Sequence, residues 1–199
     1  SGLVRGRVLH TDQGVEGIIF QGIPFAQPPL GNLRFAFPEP VKNWTGVLNA
    51  TDYAPSCYWN TSISSWKSPT PMSEDCLYLN VFTSEHCLKY GNCSVVVHIY
   101  GGRFCFGATL KFRPDFIVDN FNNRTRDVVV VTVGYRMNVF GLLNLNYKMT
   151  DLLPLNIAMH DILESLRWAR REIGHFGGNP RHITLMGQSS GSSAVQIVR

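Results

Sequence analysis

Two β-branched runs constrain what this chain can fold into more than any other feature. Ser94-Val95-Val96-Val97-His98-Ile99-Tyr100 and Asp127-Val128-Val129-Val130-Val131-Thr132-Val133 are each of strand length and almost continuously apolar. A half-buried strand alternates apolar and polar residues; an unbroken run belongs to a strand covered on both faces, as in a parallel sheet packed between helices. The period changes between Asn156 and Gly174, where Ile157, Ile162, Leu163, Leu166 and Ile173 line one side of a helix, Glu164, Arg170 and Arg171 are polar, and Gly174 suits a C-terminal stop. Gly177-Gly178-Asn179-Pro180 then signals a turn before a short strand, His182-Ile183-Thr184-Leu185-Met186. Strands alternating with helix predict an α/β fold with a mostly parallel central sheet flanked by helices. Earlier in the chain, residues 5–20 read as short strands with Gly14 and Gly17 at turns. The stretch from Gly22 to Pro40 carries Pro24, Pro28, Pro29, Pro38 and Pro40 and reads as irregular extended chain. No repeat, low-complexity tract or linker interrupts residues 1–199, so they are expected to form one domain or part of one.

Directly after the last strand comes Gly187-Gln188-Ser189-Ser190-Gly191, a match to Gly-x-Ser-x-Gly. In a nucleophile elbow the central serine sits on a sharp, strained strand-to-helix turn, and the flanking glycines let the chain cross closely. The bare pattern is weak, arising by accident in about one chain of this length in fifteen. The preceding apolar strand and the following Ser192-Ser193-Ala194-Val195-Gln196-Ile197-Val198, which continues as a buried helix start, strengthen it. The plainer reading is a polar turn with a capping serine. An oxyanion hole needs backbone N–H groups from the residue after the nucleophile and from a glycine-rich loop after an earlier strand. Tyr100-Gly101-Gly102-Arg103-Phe104 follows the first β-branched run and is placed to be that loop, although alone it reads as a tight glycine turn.

Glu74-Asp75-Cys76-Leu77-Tyr78-Leu79-Asn80-Val81 resembles the second signature of the type-B carboxylesterases, a family that includes cholinesterases and the catalytically silent neuroligins. Phe20-Gln21-Gly22-Ile23-Pro24-Phe25-Ala26, Leu33-Arg34-Phe35, Trp44-Thr45-Gly46-Val47, Tyr135-Arg136 and Phe176-Gly177-Gly178-Asn179-Pro180 are similar to further family landmarks, in family order. The resemblance implies the N-terminal part of an α/β-hydrolase domain. It implies Ser189 as acylating nucleophile and the backbone amides of Gly102, Arg103 and Ser190 as oxyanion donors. It also implies a Cys57–Cys76 disulfide, a structural Arg34–Glu74 ion pair, and no cofactor or metal ion. Cys87 and Cys93 flank a short turn and are expected to form a second bridge, which leaves Cys105 as a small buried hydrophobe.

Three departures from the family pattern bear on activity. Arg103 stands where relatives have a third glycine; if that position requires a positive φ, a residue with a Cβ costs about 1–2 kcal/mol there. Its cationic side chain would also stand beside the acyl site, either blocking it or favouring an acidic acyl group, with blocking the preferred reading. The elbow reads Gln188 and Ser190 where relatives have glutamate and alanine. Before the elbow helix, Leu155-Asn156-Ile157-Ala158-Met159-His160 replaces a glycine-rich stretch, with Asn156 and Asp161 retained.

A serine becomes a strong nucleophile only when a histidine takes its proton, and in this fold the partners follow in the order Ser, Asp or Glu, His. The ten residues after Ser189 hold neither an acid nor a histidine, and His10, His86, His98, His160, His175 and His182 all precede it. These histidines are expected to be structural or superficial. The 199 residues alone are expected to be inactive, truncated just past the elbow.

Composition narrows the setting. The formal charge of +4 comes from scattered Lys and Arg without a basic stripe, which argues against nucleic-acid binding. No apolar run reaches membrane-spanning length, and residues 1–5 carry no signal-peptide core. Asn43, Asn49, Asn60, Asn92 and Asn123 each begin an Asn-x-Ser/Thr sequon, where roughly two would arise by chance. With five cysteines, enough for two bridges, they favour a secreted or lumenal glycoprotein, with anchoring through a C-terminal tail left open. Two functions therefore compete. One is a serine carboxylesterase acting on a small-molecule ester through an acyl-enzyme, supported by Ser189. The other is a non-catalytic cholinesterase-like binding or adhesion domain with a protein partner, supported by Arg103.

Overall fold

The computed structural model describes residues 2–63, 66–122, 126–145 and 154–199. In chain order the strands and helices begin with β1 (Leu3–Arg5), β2 (Arg7–His10), β3 (Glu16–Pro24), β4 (Val47–Asn49), β5 (Ser56–Cys57), β6 (Met72–Ser73) and β7 (Tyr78–Thr83). They continue with α1 (Glu85–Tyr90), β8 (Cys93–Ile99), α2 (Pro114–Phe121), β9 (Val128–Val133), α3 (Asn138–Leu142), α4 (Ile157–Glu172), β10 (Gly178–Gly187) and α5 (Ser190–Val198).

Six of the strands make one mixed sheet in the order β10-β8-β9-β7-β3-β2. The two β-branched runs are its centre. β8 pairs in parallel with both β9 and β10, and Val95, Val97, Ile99, Val129, Val131 and Val133 are fully buried. The other half, β9-β7-β3-β2, is antiparallel. The parallel character is thus confined to the half that leads into Ser189. Helix α2 covers one face, where Ile117 and Val118 meet Ile19, Phe82 and Val130. Helices α4 and α5 cover the other, where Ile162, Trp168, Ala169 and Ala194 join the larger core. A mixed central sheet between helices fits the α/β-hydrolase fold that the resemblance implies.

Four local expectations need correction. Gly17 lies inside β3, where a Cβ would sit 2.5 Å from a Val118 methyl: it admits α2 rather than turning the chain. Gly174 does not end the long helix. A single 3-10 turn continues through Phe176, and the left-handed residue is Gly177, with φ 82° and room for no Cβ beside the Cys87 carbonyl. The strand after it starts at Gly178, so Asn179 and Pro180 belong to β10. They fall where its register with β8 shifts, an irregularity that accommodates a proline. Finally, α5 forms as expected but is not buried: only Gly191 and Ala194 are enclosed, and Ile197 is 64% exposed.

One charged pair is fully enclosed. Asp161, on the first turn and a half of α4, accepts the Arg136 backbone N–H at 3.0 Å and two guanidinium N–H groups at 2.9 and 2.6 Å. The Asp161 side chain is 0% and that of Arg136 4% exposed, so each charge depends on the other for its solvation. The bidentate contact pins α4 to the segment following β9. The expected Arg34–Glu74 pair also forms bidentately, at 2.5 and 2.6 Å, but is half-exposed. Two disulfides are present, Cys57–Cys76 and Cys87–Cys93, and Cys105 is free and half-buried rather than enclosed.

Candidate active site

The end of β10, the start of α5 and the loop after β8 converge at Ser189. Its backbone has φ 57° and ψ −127°, a region that a residue with a side chain adopts only under constraint. The constraint is the crossing of chains behind it. A Cβ on Gly187 would lie 2.4 Å from the carbonyl carbon and oxygen of Gly191, and one on Gly191 would lie 2.2 Å from the Ile99 carbonyl oxygen. Only glycine lets strand and helix approach this closely, so the pair two residues either side of Ser189 is what permits the turn. Helix α5 begins immediately afterwards: the Ser192 and Ser193 amides fold back on the Ser189 carbonyl at 2.8 and 3.3 Å. Ser189 itself is exposed.

Gly101 joins this crossing from the other side. A Cβ there would meet the Gln188 carbonyl oxygen at 2.2 Å and the Ser189 Cβ at 3.0 Å, so the loop after β8 lies against the serine. Gly102 has φ 136°, Arg103 φ 57° and Phe104 φ 58°. Arg103 and Phe104 thus both adopt a left-handed backbone, which costs about 1–2 kcal/mol at each residue. Several contacts hold the loop. The Cys105 and Phe106 amides bond the Gly102 carbonyl at 2.9 and 3.1 Å, the Asn138 amide bonds that of Phe104 at 3.1 Å, and Asn138 Nδ2 reaches that of Cys105 at 2.9 Å. Lys111 Nζ donates to the Gly101 carbonyl at 3.2 Å.

The expected donors therefore lie together, but they are not alike. The Gly102 amide donates at 3.1 Å to the side-chain hydroxyl of Ser190. The Arg103 and Ser190 amides make no hydrogen bond among the described residues. Arg103 is exposed. Asn138 and Lys111, which brace the loop, were not legible as site residues. The only hint was Asn138 itself, with φ 52°, since asparagine tolerates the left-handed region.

The histidines lie elsewhere. His10 pairs with Glu16 and His86 with Asp127, His160 packs on Phe37 with ring centroids 4.0 Å apart, and His175 and His182 are exposed. His98 is 4% exposed. Burial, helped by the charge of Lys111, pushes its pKa down to about 4. It stands on the α2 side of β8 against the Phe112 ring and is neutral and structural at neutral pH. None of them hydrogen-bonds Ser189 among the described residues. His86 lies near Cys87 and Cys93 in a grouping that resembles a metal site, but both sulfurs are committed to their disulfide. Asn43, Asn49, Asn60 and Asn92 are exposed, and Asn123 lies outside the described residues. No helix among the described residues is long and apolar enough to cross a membrane.

Behind the loop, Tyr100 and Tyr135 stack at 4.5 Å and each hydroxyl donates to the other's carbonyl, at 3.3 Å from Tyr100 and 2.8 Å from Tyr135. Burial raises both phenol pKa values, so the pair is a neutral clamp between the ends of β8 and β9.

Comparison with known proteins agrees with this geometry. Residues 1–199 match the model of the carboxylesterase family. The chain is 38% identical to a cocaine esterase of Oryctolagus cuniculus, over 98% of this chain and 37% of the relative. It is 40% identical to an acetylcholinesterase of Bungarus fasciatus, over 98% and 32%, and 40% identical to a cholinesterase of Mus musculus, over 99% and 33%. It therefore spans about a third of the length of these relatives. A strained serine between glycines, an amide loop laid against it and a family match along the whole chain lead to one conclusion: this chain belongs to the carboxylesterase family.

Proposed function

We propose that this chain supplies the nucleophile and the oxyanion donors of a carboxylic ester hydrolase, as the N-terminal part of a longer carboxylesterase domain. The observation that carries the reading is the strained backbone of Ser189 at the strand-to-helix turn, since strain of this kind persists where the surrounding structure maintains it for a purpose. Ser189 Oγ attacks the carbonyl carbon of a small-molecule ester while its proton passes to a base. The carbonyl oxygen becomes an alkoxide held by backbone N–H groups, the alcohol leaves with a proton, and water releases the acid from the acyl-enzyme. No histidine hydrogen-bonds Ser189 among the described residues, so in this reading the base belongs to the remainder of the longer domain that the relatives span. The relatives' names, cocaine esterase and acetylcholinesterase, support ester substrates without selecting one.

The two disulfides and the exposed sequons support passage through an oxidising secretory compartment, with glycans at Asn43, Asn49, Asn60, Asn92 and Asn123. The test is to express the full-length protein through the secretory pathway, verify the glycans by the mass lost to a glycosidase, and label it with a fluorophosphonate. Labelling that vanishes in Ser189→Ala is the expected result. A folded, glycosylated protein that never labels would overturn the hydrolase reading and leave a binding domain.

A further inference from the structure

The hydroxyl of Ser190 does something that neither the elbow motif nor the proposed reaction requires. Ser190 opens α5, and its Oγ accepts the backbone N–H of Gly102 at 3.1 Å and of Phe104 at 3.2 Å. Two amides, one on each side of Arg103, thus converge on one neutral oxygen. Arg103 and Phe104 are consecutive non-glycine residues at φ 57° and 58°, a pairing that the surroundings must over-determine if it is to persist. The other braces, from Cys105, Phe106, Asn138 and Lys111, all hold carbonyls of the loop. Ser190 is the side chain that, among the described residues, accepts the Gly102 and Phe104 N–H groups.

We propose that Ser190 is a positioning residue: its hydroxyl locks residues 102–104 so that Arg103 stays left-handed, and it withdraws the Gly102 amide from the donors that meet the alkoxide. This rests on the hydrolase reading above. A two-donor hole follows, formed by the Arg103 and Ser190 amides. A side chain that merely capped α5 would bond an amide of that helix; this one reaches 86 and 88 residues back to the opposing loop.

The experiment uses the full-length protein and two readouts on Ser190→Ala, Ser190→Thr and Arg103→Gly. The first is amide hydrogen exchange of the peptide covering residues 100–106, which needs no activity. Exchange there rises roughly tenfold in Ser190→Ala, as expected for losing neutral hydrogen bonds, and is restored in Ser190→Thr, which keeps the hydroxyl. The second is the rate of fluorophosphonate acylation. It falls roughly tenfold in Ser190→Ala, returns in Ser190→Thr, and loses its sensitivity to Ser190→Ala once Arg103→Gly is present, because glycine holds φ 57° without help. Unchanged exchange in Ser190→Ala overturns the lock whether or not the protein labels. Faster acylation in Ser190→Ala also overturns the proposal, since releasing the Gly102 amide would then matter more than any locking of residues 102–104. A wild-type protein whose exchange behaves as expected but which never labels overturns the hydrolase reading and with it the catalytic role of the lock.

Discussion

His98 is a titratable residue on a central strand of the sheet. It sits within a β-branched run and is enclosed with it, so its imidazole is held neutral, with the pKa lowered from 6.5 to about 4 by burial and then by Lys111. In the unfolded chain the ring takes a proton near its ordinary value; in the fold it resists until far lower pH. Between those values the unfolded state binds more protons, so acidification favours unfolding. The stability tied to neutral His98 is complete above about pH 6.5 and is lost as pH falls toward 4. At about 1.4 kcal/mol per pH unit, lowering the pH from 7 to 5 removes about 2 kcal/mol through this residue. His98→Leu cannot titrate, and urea unfolding at the two pH values should show a pH dependence weaker by that amount. An equal pH dependence in both proteins would mean that His98 is solvated.

At the scale of elements, the decisive contact is the crossing of α5 over the ends of β10 and β8. Gly191 meets the Ile99 carbonyl oxygen where a Cβ would be 2.2 Å away, and the obstructing atom is backbone at the end of a central strand. The Ile99 carbonyl cannot retreat without disturbing the parallel pairing of β8 with β10, so the helix is the partner that yields. Gly191→Ala should therefore push α5 off the sheet and relax Ser189 from its strained geometry. The expected outcome is a fall in fluorophosphonate labelling of at least a hundredfold in the full-length protein, with destabilisation of about 1–3 kcal/mol from overpacking. Labelling at the wild-type rate would show that the crossing tolerates a methyl group.

At the scale of the whole molecule, the segment between β5 and β7 is held by a disulfide together with the buried Trp59 and the Arg34–Glu74 pair. The Cys57–Cys76 bond closes a 19-residue separation over a region whose regular structure, among the described residues, is one 3-10 turn and a pair of two-residue strands. Closing a loop of this size restricts the unfolded chain by about 3 kcal/mol. The double variant Cys57→Ala/Cys76→Ala should lose that much in chemical denaturation, whereas removing the Cys87–Cys93 bond, which spans six residues, should cost less. The reverse order would place the stabilisation in native packing around Cys87, which is fully buried.

Much of this protein was readable in one dimension because the physics there is local. Unbroken valine runs announced β8 and β9, the 3.6-residue period announced α4, and glycines two residues either side of Ser189 announced a turn that needs their missing side chains. Strand direction was not local: the antiparallel half of the sheet depends on how β3 and β7 return beside β9, which no window of sequence encodes. The same holds for the site. The loop around Arg103 is braced by Asn138, Lys111 and Ser190, the last bonding Gly102 across a separation of 88 residues. The enclosure of Asp161 with Arg136 likewise depends on two distant segments meeting. Which residues are chemically able to act is determined by the sequence, because reactivity belongs to side chains; which amides remain free to act with them is decided by the tertiary structure, because a hydrogen bond belongs to whatever the fold brings within about 3 Å.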